Sequence, residues 1–91
     1  MLSYNAAKKT LISEGGIYES RKLFALRLNT VLNDMGVKED NRIEFLSELT
    51  NTALETVSRW VNGEALPPSS HIKKLAREFL ISPQWLIAGK Q

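Results

Sequence analysis

The chain has 91 residues, 43% of them hydrophobic and 24% charged, which fits one small globular domain and excludes wholesale disorder. It contains no cysteine and a single histidine, which excludes a disulfide framework, a thiolate metal site and a histidine-rich metal site. Twelve Lys and Arg against ten Asp and Glu give a net charge of +2, which by itself indicates nucleic acid only weakly.

Residues 1–18 are predicted to form an N-terminal arm or short helix, separate from a domain over residues 19–91. Gly15 and Gly16 break any helix in this segment, and Lys8 and Lys9 interrupt the apolar core that a signal peptide needs. No apolar run approaches the roughly 20 residues that span a bilayer. We therefore expect a cytoplasmic protein with no membrane partner. The arm is either disordered or packed across a two-fold axis, where it would help a dimer to form.

A first helix is predicted over residues 19–35, because apolar residues recur there at spacings of three and four. Gly36 follows as a left-handed helix end. The apolar stripe consists of Phe24, Leu28, Val31, Leu32 and Met35.

A short second helix is predicted over residues 42–50, with Asp40 or Asn41 as its N-cap. Asn51 then suits a tight turn, because asparagine tolerates positive φ. The next four residues, 52–55, match a capping box in which Thr52 and Glu55 bond each other's backbone amides.

The third predicted helix covers residues 53–61 and buries Val57, Trp60 and Val61. Two more helices follow, one opening at Ser69 or Ser70 and one at Ser82-Pro83, a cap followed by proline in the first turn. Gly89 closes the last helix. The inner stripe of the fourth helix consists of Ile72, Leu75, Ala76, Phe79 and Leu80. No segment alternates as a strand does, so the prediction is an all-α fold of five short helices with an N-terminal appendage.

The second and third helices are the informative pair. A turn as short as the one at Asn51 forces them to cross steeply, which leaves the third helix projecting from the body. A projecting helix fits the major groove of B-DNA.

The motifs of this region resemble those of a known family. The segment 56–63, TVSRWVNG, is similar to the recognition-helix ending of the lambda repressor and Cro group of helix-turn-helix domains. The resemblance continues through the loop 63–67 and the segment 82–89, and it covers about 70 residues in the family's order. Ser47 and Asn51 replace the usual alanine and glycine, and the stretch 38–45 is several residues longer than the common pattern. The chain also stops after the DNA-binding part, which suggests a small Cro-type regulator or a fragment.

The resemblance implies a lambda-repressor-like fold and a sequence-specific DNA-binding transcriptional regulator, a repressor encoded by a phage or prophage and located at the bacterial nucleoid. It implies a double-stranded DNA operator, a homodimer at least on DNA, and no cofactor or small-molecule ligand. The residues implied to contact bases are Leu54, Glu55 and Arg59, with Ala53 and Ser58 close by. Those implied to contact phosphates are Arg42, Thr52 and Asn62.

Simpler roles stand beside these. Arg59 has a possible ion pair with Glu55 four residues earlier, and capping alone would explain Glu55. Trp60 is expected in the core and His71 in solvent, and the basic run on the fourth helix (Lys73, Lys74 and Arg77) suits a solvated face as well as phosphate. No residues are spaced as a catalytic triad, so we expect no enzyme. The alternative function is a protein-interaction module on the same fold, such as an antitoxin-like partner binder, whose DNA binding would respond weakly to salt.

Overall fold

The computed structural model describes residues 16–90 and the side chains of residues 19–90. This part of the chain is all-α, as predicted, and no strand occurs within it. Its helices are α1 (Gly16–Asp34), α2 (Arg42–Thr50), α3 (Leu54–Val61), α4 (Ser69–Phe79) and α5 (Pro83–Ala88), with a 3-10 turn at Glu39–Asn41 before α2. The predicted arm lies outside the described residues except for its last three, which already belong to α1.

Helix α1 supplies the centre of the core. Phe24, Leu28 and Leu32 are fully buried, and their spacing of four residues puts them on one face of the helix. Each of the other helices adds at least one fully buried side chain, namely Leu46, Val57, Trp60, Leu75 and Leu86. Met35 was predicted on the buried stripe but is 48% exposed, because α1 ends at Asp34 and the chain turns away at Gly36, whose φ is 79°.

Asn29 on α1 ties α2 and α3 to the same point of the scaffold. Its Nδ2 donates to the carbonyl oxygen of Val61 at the end of α3, at 3.1 Å. Its Oδ1 accepts from Nη1 of Arg42, the first residue of α2, also at 3.1 Å. One amide side chain therefore fixes both helices relative to α1.

Arg27 on α1 closes the C-terminal end of α5. Its Nε donates to the carbonyl oxygen of Leu86 and its Nη2 to that of Ile87, each at 3.0 Å. These carbonyls have no partner within the helix, and a cation near them is favoured by the helix dipole. Burial lowers the pKa of the Arg27 guanidinium from its ordinary value.

The ends of the helices confirm some predicted caps and overturn others. Ser82 caps α5 by accepting from the amide of Trp85, as its position before Pro83 predicted. The prediction of Asp40 or Asn41 as a side-chain cap of α2 was wrong: Asn41 occupies the cap position, but its side chain makes no capping bond in the described structure. The 3-10 turn leads into α2 instead.

Leu80 lies outside the core, contrary to prediction. Helix α4 ends at Phe79, and Leu80 adopts a left-handed conformation with φ of 57°. Its side chain is consequently 91% exposed, while Ile81 packs against the core.

Candidate nucleic-acid interface

The turn between α2 and α3 is built on Asn51, which has φ of 51° and ψ of 51°, the left-handed conformation that its sequence position predicted. The amide of Thr52 donates back to the carbonyl oxygen of Ser47 at 3.1 Å. The Ser47 hydroxyl donates in turn to the carbonyl oxygen of Thr52. An alanine at position 47 could not make this second bond, so Ser47 adds a clamp across the turn.

Helix α3 has one buried face and one exposed face. Val57 and Trp60 are buried at 0% and 1% exposure, which confirms Trp60 as a core residue. The opposite face is open to solvent within the described structure. It presents Ala53, Leu54, Glu55, Thr56, Arg59 and Asn62, with Ser58 half-buried beside them.

Glu55 and Arg59 form the ion pair expected for their spacing of four residues. Nη2 of Arg59 lies 3.2 Å from Oε1 of Glu55, and the two side chains are 56% and 82% exposed, respectively. An exposed pair of this kind stabilises a helix by only about 0.3–0.5 kcal/mol. Arg59 can therefore exchange Glu55 for another acceptor at little cost.

The predicted capping box at the start of α3 does not form. Ala53 occupies the N-cap position, and no side chain of the described residues caps the helix. The Thr52 hydroxyl bonds other partners instead, namely the carbonyl oxygen of Thr50 at 3.1 Å and the Thr50 hydroxyl at 2.9 Å. The amides of the first turn of α3 thus lack a side-chain acceptor, which is the arrangement that binds anions at helix N-termini.

Arg42 lies in the body of the protein and not on the expected phosphate-binding surface. It is 6% exposed. Its Nε donates to the carbonyl oxygen of Val37 at 3.1 Å, and its two Nη atoms donate to the side-chain oxygens of Asn29 and Asn33. These bonds aim the guanidinium at α1 and away from solvent, so Arg42 presents no donor to a phosphate at the protein surface.

At the other end of α3, the Nδ2 of Asn62 donates to the Ser58 hydroxyl at 3.2 Å. Asn62 remains exposed, and the hydrogen bond holds its amide against the helix. On α4, Lys73 and Arg77 are exposed and Lys74 is half-buried.

His71 was expected in solvent but lies half-buried next to α3. Its ring centroid is 5.6 Å from that of Trp60, and its Nε2 is 3.3 Å from Oγ1 of Thr52. No local pattern marked this contact, because 19 residues separate His71 from Thr52. Asn29 was missed for the same reason, since both of its partners lie far along the chain.

Other kinds of site find little support in residues 16–90. No group of three or more His, Cys, Asp or Glu side chains within this range is placed to hold a metal ion. None of the helices described has both the length and the apolar character needed to cross a bilayer.

A family model described as helix-turn-helix matches residues 38–86, which is more than half of the chain and includes α2, α3 and the turn between them. Comparison with curated proteins and with solved structures gave no significant match. The matched range contains the helix pair that leaves one face of α3 open. The chain therefore belongs to the lambda repressor/Cro-like family of helix-turn-helix DNA-binding domains.

Proposed function

We propose that this protein is a sequence-specific transcriptional regulator, a repressor of the phage or prophage type, that places α3 in the major groove of its operator. The observation that carries the proposal is the open face of α3 above a buried Val57 and Trp60. A helix anchored on one side and free on the other can enter a groove about 12 Å wide without unfolding.

Arg59 is the principal base-reading residue of the proposal. Its guanidinium is 56% exposed and has one weak partner, Glu55, so it is free to bond O6 and N7 of a guanine. Glu55 then accepts from a cytosine amino group, and Leu54, 52% exposed, contacts a thymine methyl. Ala53 and Ser58 determine how closely the helix approaches.

The phosphate contacts lie at both ends of α3. The uncapped amides of its first turn and the Thr52 hydroxyl bind one phosphate, and Asn62 binds another. Because one such helix reads only a few base pairs, two copies of the chain bind two half-sites about one turn of DNA apart. Repression follows from occupying the operator at the nucleoid, with no catalytic step.

The test is selection of bound duplexes from a random pool, with the wild type, Arg59→Ala and Arg77→Ala. Arg77 is a matched control because it is an exposed arginine on α4, so its replacement removes the same charge. The wild type and Arg77→Ala should select one common sequence. Arg59→Ala should lose about 10- to 100-fold discrimination at one position of each half-site and keep general affinity.

The proposal is wrong if the wild type selects no sequence, and the role of Arg59 is wrong if its alanine variant selects the wild-type sequence. Affinity should also fall by orders of magnitude between about 50 and 200 mM salt, because a protein that binds DNA displaces counterions condensed on it.

Exposed leucines on α1 favour a second candidate, the protein-interaction module. Leu23 is 43% and Leu26 is 62% exposed, and their spacing of three residues places them on one face. A partner-binding role predicts that salt leaves DNA binding nearly unchanged and that charged substitutions at these leucines abolish a complex with another protein.

A further inference from the structure

His71 connects the first turn of α4 to the beginning of α3. The Nε2 atom lies 3.3 Å from Oγ1 of Thr52, and the ring contacts Trp60 at an interplanar angle of 50°. The other ring nitrogen, Nδ1, is buried and has no hydrogen-bond partner among the described residues. The two nitrogens of one ring therefore have very different surroundings.

This difference determines where the proton of the neutral ring lies. A neutral imidazole has one N–H donor and one acceptor nitrogen. A proton on Nδ1 of His71 would leave a buried N–H without an acceptor, which is rare and costly. A proton on Nε2 leaves only a lone pair unsatisfied and lets His71 donate to Oγ1 of Thr52.

The hydroxyl of Thr52 then keeps its own proton for another acceptor. The neighbouring Thr50 hydroxyl already donates to the carbonyl oxygen of Leu46 at 2.7 Å. In the free protein Thr52 donates to the carbonyl oxygen of Thr50 at 3.1 Å, which is long for a hydrogen bond between two oxygens. A charged phosphate oxygen is a stronger acceptor than that carbonyl.

We propose that His71 is a positioning residue for a DNA phosphate, acting through Thr52; the inference rests on the proposed function. The Nε2–H of His71 holds Oγ1 of Thr52 beside the uncapped amides of α3. The Thr52 hydroxyl donates a hydrogen bond to the phosphate. The hydrogen bond that this hydroxyl accepts from His71 polarises it and makes it a stronger donor. His71 itself does not touch the DNA.

The test is a double-mutant cycle of DNA affinity. Thr52→Val removes the hydroxyl and keeps the shape, while His71→Phe keeps a ring next to Trp60 and removes both nitrogens. Thr52→Val should lower affinity by about tenfold or more, and His71→Phe by about threefold to tenfold. The double variant should bind no more weakly than Thr52→Val alone, because His71 acts only through that hydroxyl.

Two amide variants separate positioning from packing. His71→Gln carries an N–H near the place of Nε2 and should restore affinity to within about twofold of the wild type. His71→Asn carries its N–H near the place of Nδ1 and should bind as weakly as His71→Phe. Thermal unfolding of each variant shows whether it is folded at the temperature of the binding assay.

A neutral methylphosphonate at the contacted phosphate gives a readout that a structural role would not move. Ethylation interference, compared between the wild type and Thr52→Val, identifies that phosphate on the selected operator. The His71→Phe penalty should become smaller on DNA with this substitution, because the remaining neutral oxygen is a weaker acceptor than the charged phosphate. Additive effects in the cycle, an undiminished penalty on the methylphosphonate DNA, or no rescue by His71→Gln would each overturn the proposal.

The cycle is also measured on a duplex of random sequence, because phosphate contacts do not need a particular base sequence. If the wild type selects no sequence, the proposed function is wrong, but the double-mutant cycle can still be measured on the random duplex. Additivity in a protein that does select a sequence defeats only the role of His71.

Discussion

Arg42→Ala should destabilise the fold instead of weakening DNA contacts. The side chain is 6% exposed and donates to Val37, Asn29 and Asn33. Asn33 is exposed, so its oxygen returns to water when Arg42 is removed, whereas Val37 and Asn29 are half-buried and lose a charged donor.

The magnitude follows from these surroundings. Each of the two lost bonds contributes about 1 kcal/mol, because water partly replaces the donor at these half-buried acceptors, and the buried aliphatic stem of Arg42 contributes about another 1 kcal/mol. The expected loss is about 3 kcal/mol, out of a total of roughly 5–14 kcal/mol for a chain of this length. The Tm should fall by about 12–24 °C.

The assay is urea unfolding followed by circular dichroism, with Arg77→Ala as the exposed control, whose free energy of unfolding should stay within about 0.5 kcal/mol of the wild type. Arg42→Lys should recover little, because a single ammonium cannot reach acceptors in three directions. Two results together would refute the reasoning. Arg42→Ala would unfold like the wild type, and its plot of log affinity against log salt concentration would have a slope lower by the amount expected for one phosphate contact.

Two backbone positions give further predictions. Leu80→Gly should raise the free energy of unfolding by about 0.5–1 kcal/mol, because φ of 57° strains a leucine whose side chain is 91% exposed. Leu80→Ala keeps the strain, so equal stability of the two variants in urea unfolding would contradict this. Gly63→Ala should lower stability by about 1–2 kcal/mol, since φ is 76° and the new Cβ would lie 3.1 Å from Cδ of Lys22. Gly36→Ala, with φ of 79° and open space, is the control: an equal loss in both alanine variants would show that the contact does not matter.

Apolar spacing and turn residues were enough to predict most of the fold. The predicted bounds of α2 agree with the structure, and α3 begins one residue later than expected. Asn51 was identified by its tolerance of positive φ, and Ser82-Pro83 by its capping chemistry. These signals are local, because each acts within a few residues of the chain.

The errors arise where a side chain has a choice of partners. Thr52 matched a capping pattern, but its hydroxyl bonds the carbonyl and hydroxyl of Thr50 and does not cap α3. Arg42 stood at a helix start, where phosphates bind, yet acceptors 13 and 9 residues earlier hold it. His71 contacts Thr52 across 19 residues. Such choices depend on tertiary neighbours that a sequence pattern does not contain.

The double attachment of Asn29 has a consequence for how this protein can change. Asn29 of α1 bonds both the end of α3 and the start of α2. The angle at which the exposed face of α3 meets a DNA groove therefore does not depend on which exposed side chains that face carries. A preference for a new DNA sequence can therefore arise by exchanging those side chains alone, while the hydrogen bonds of Asn29 stay unchanged.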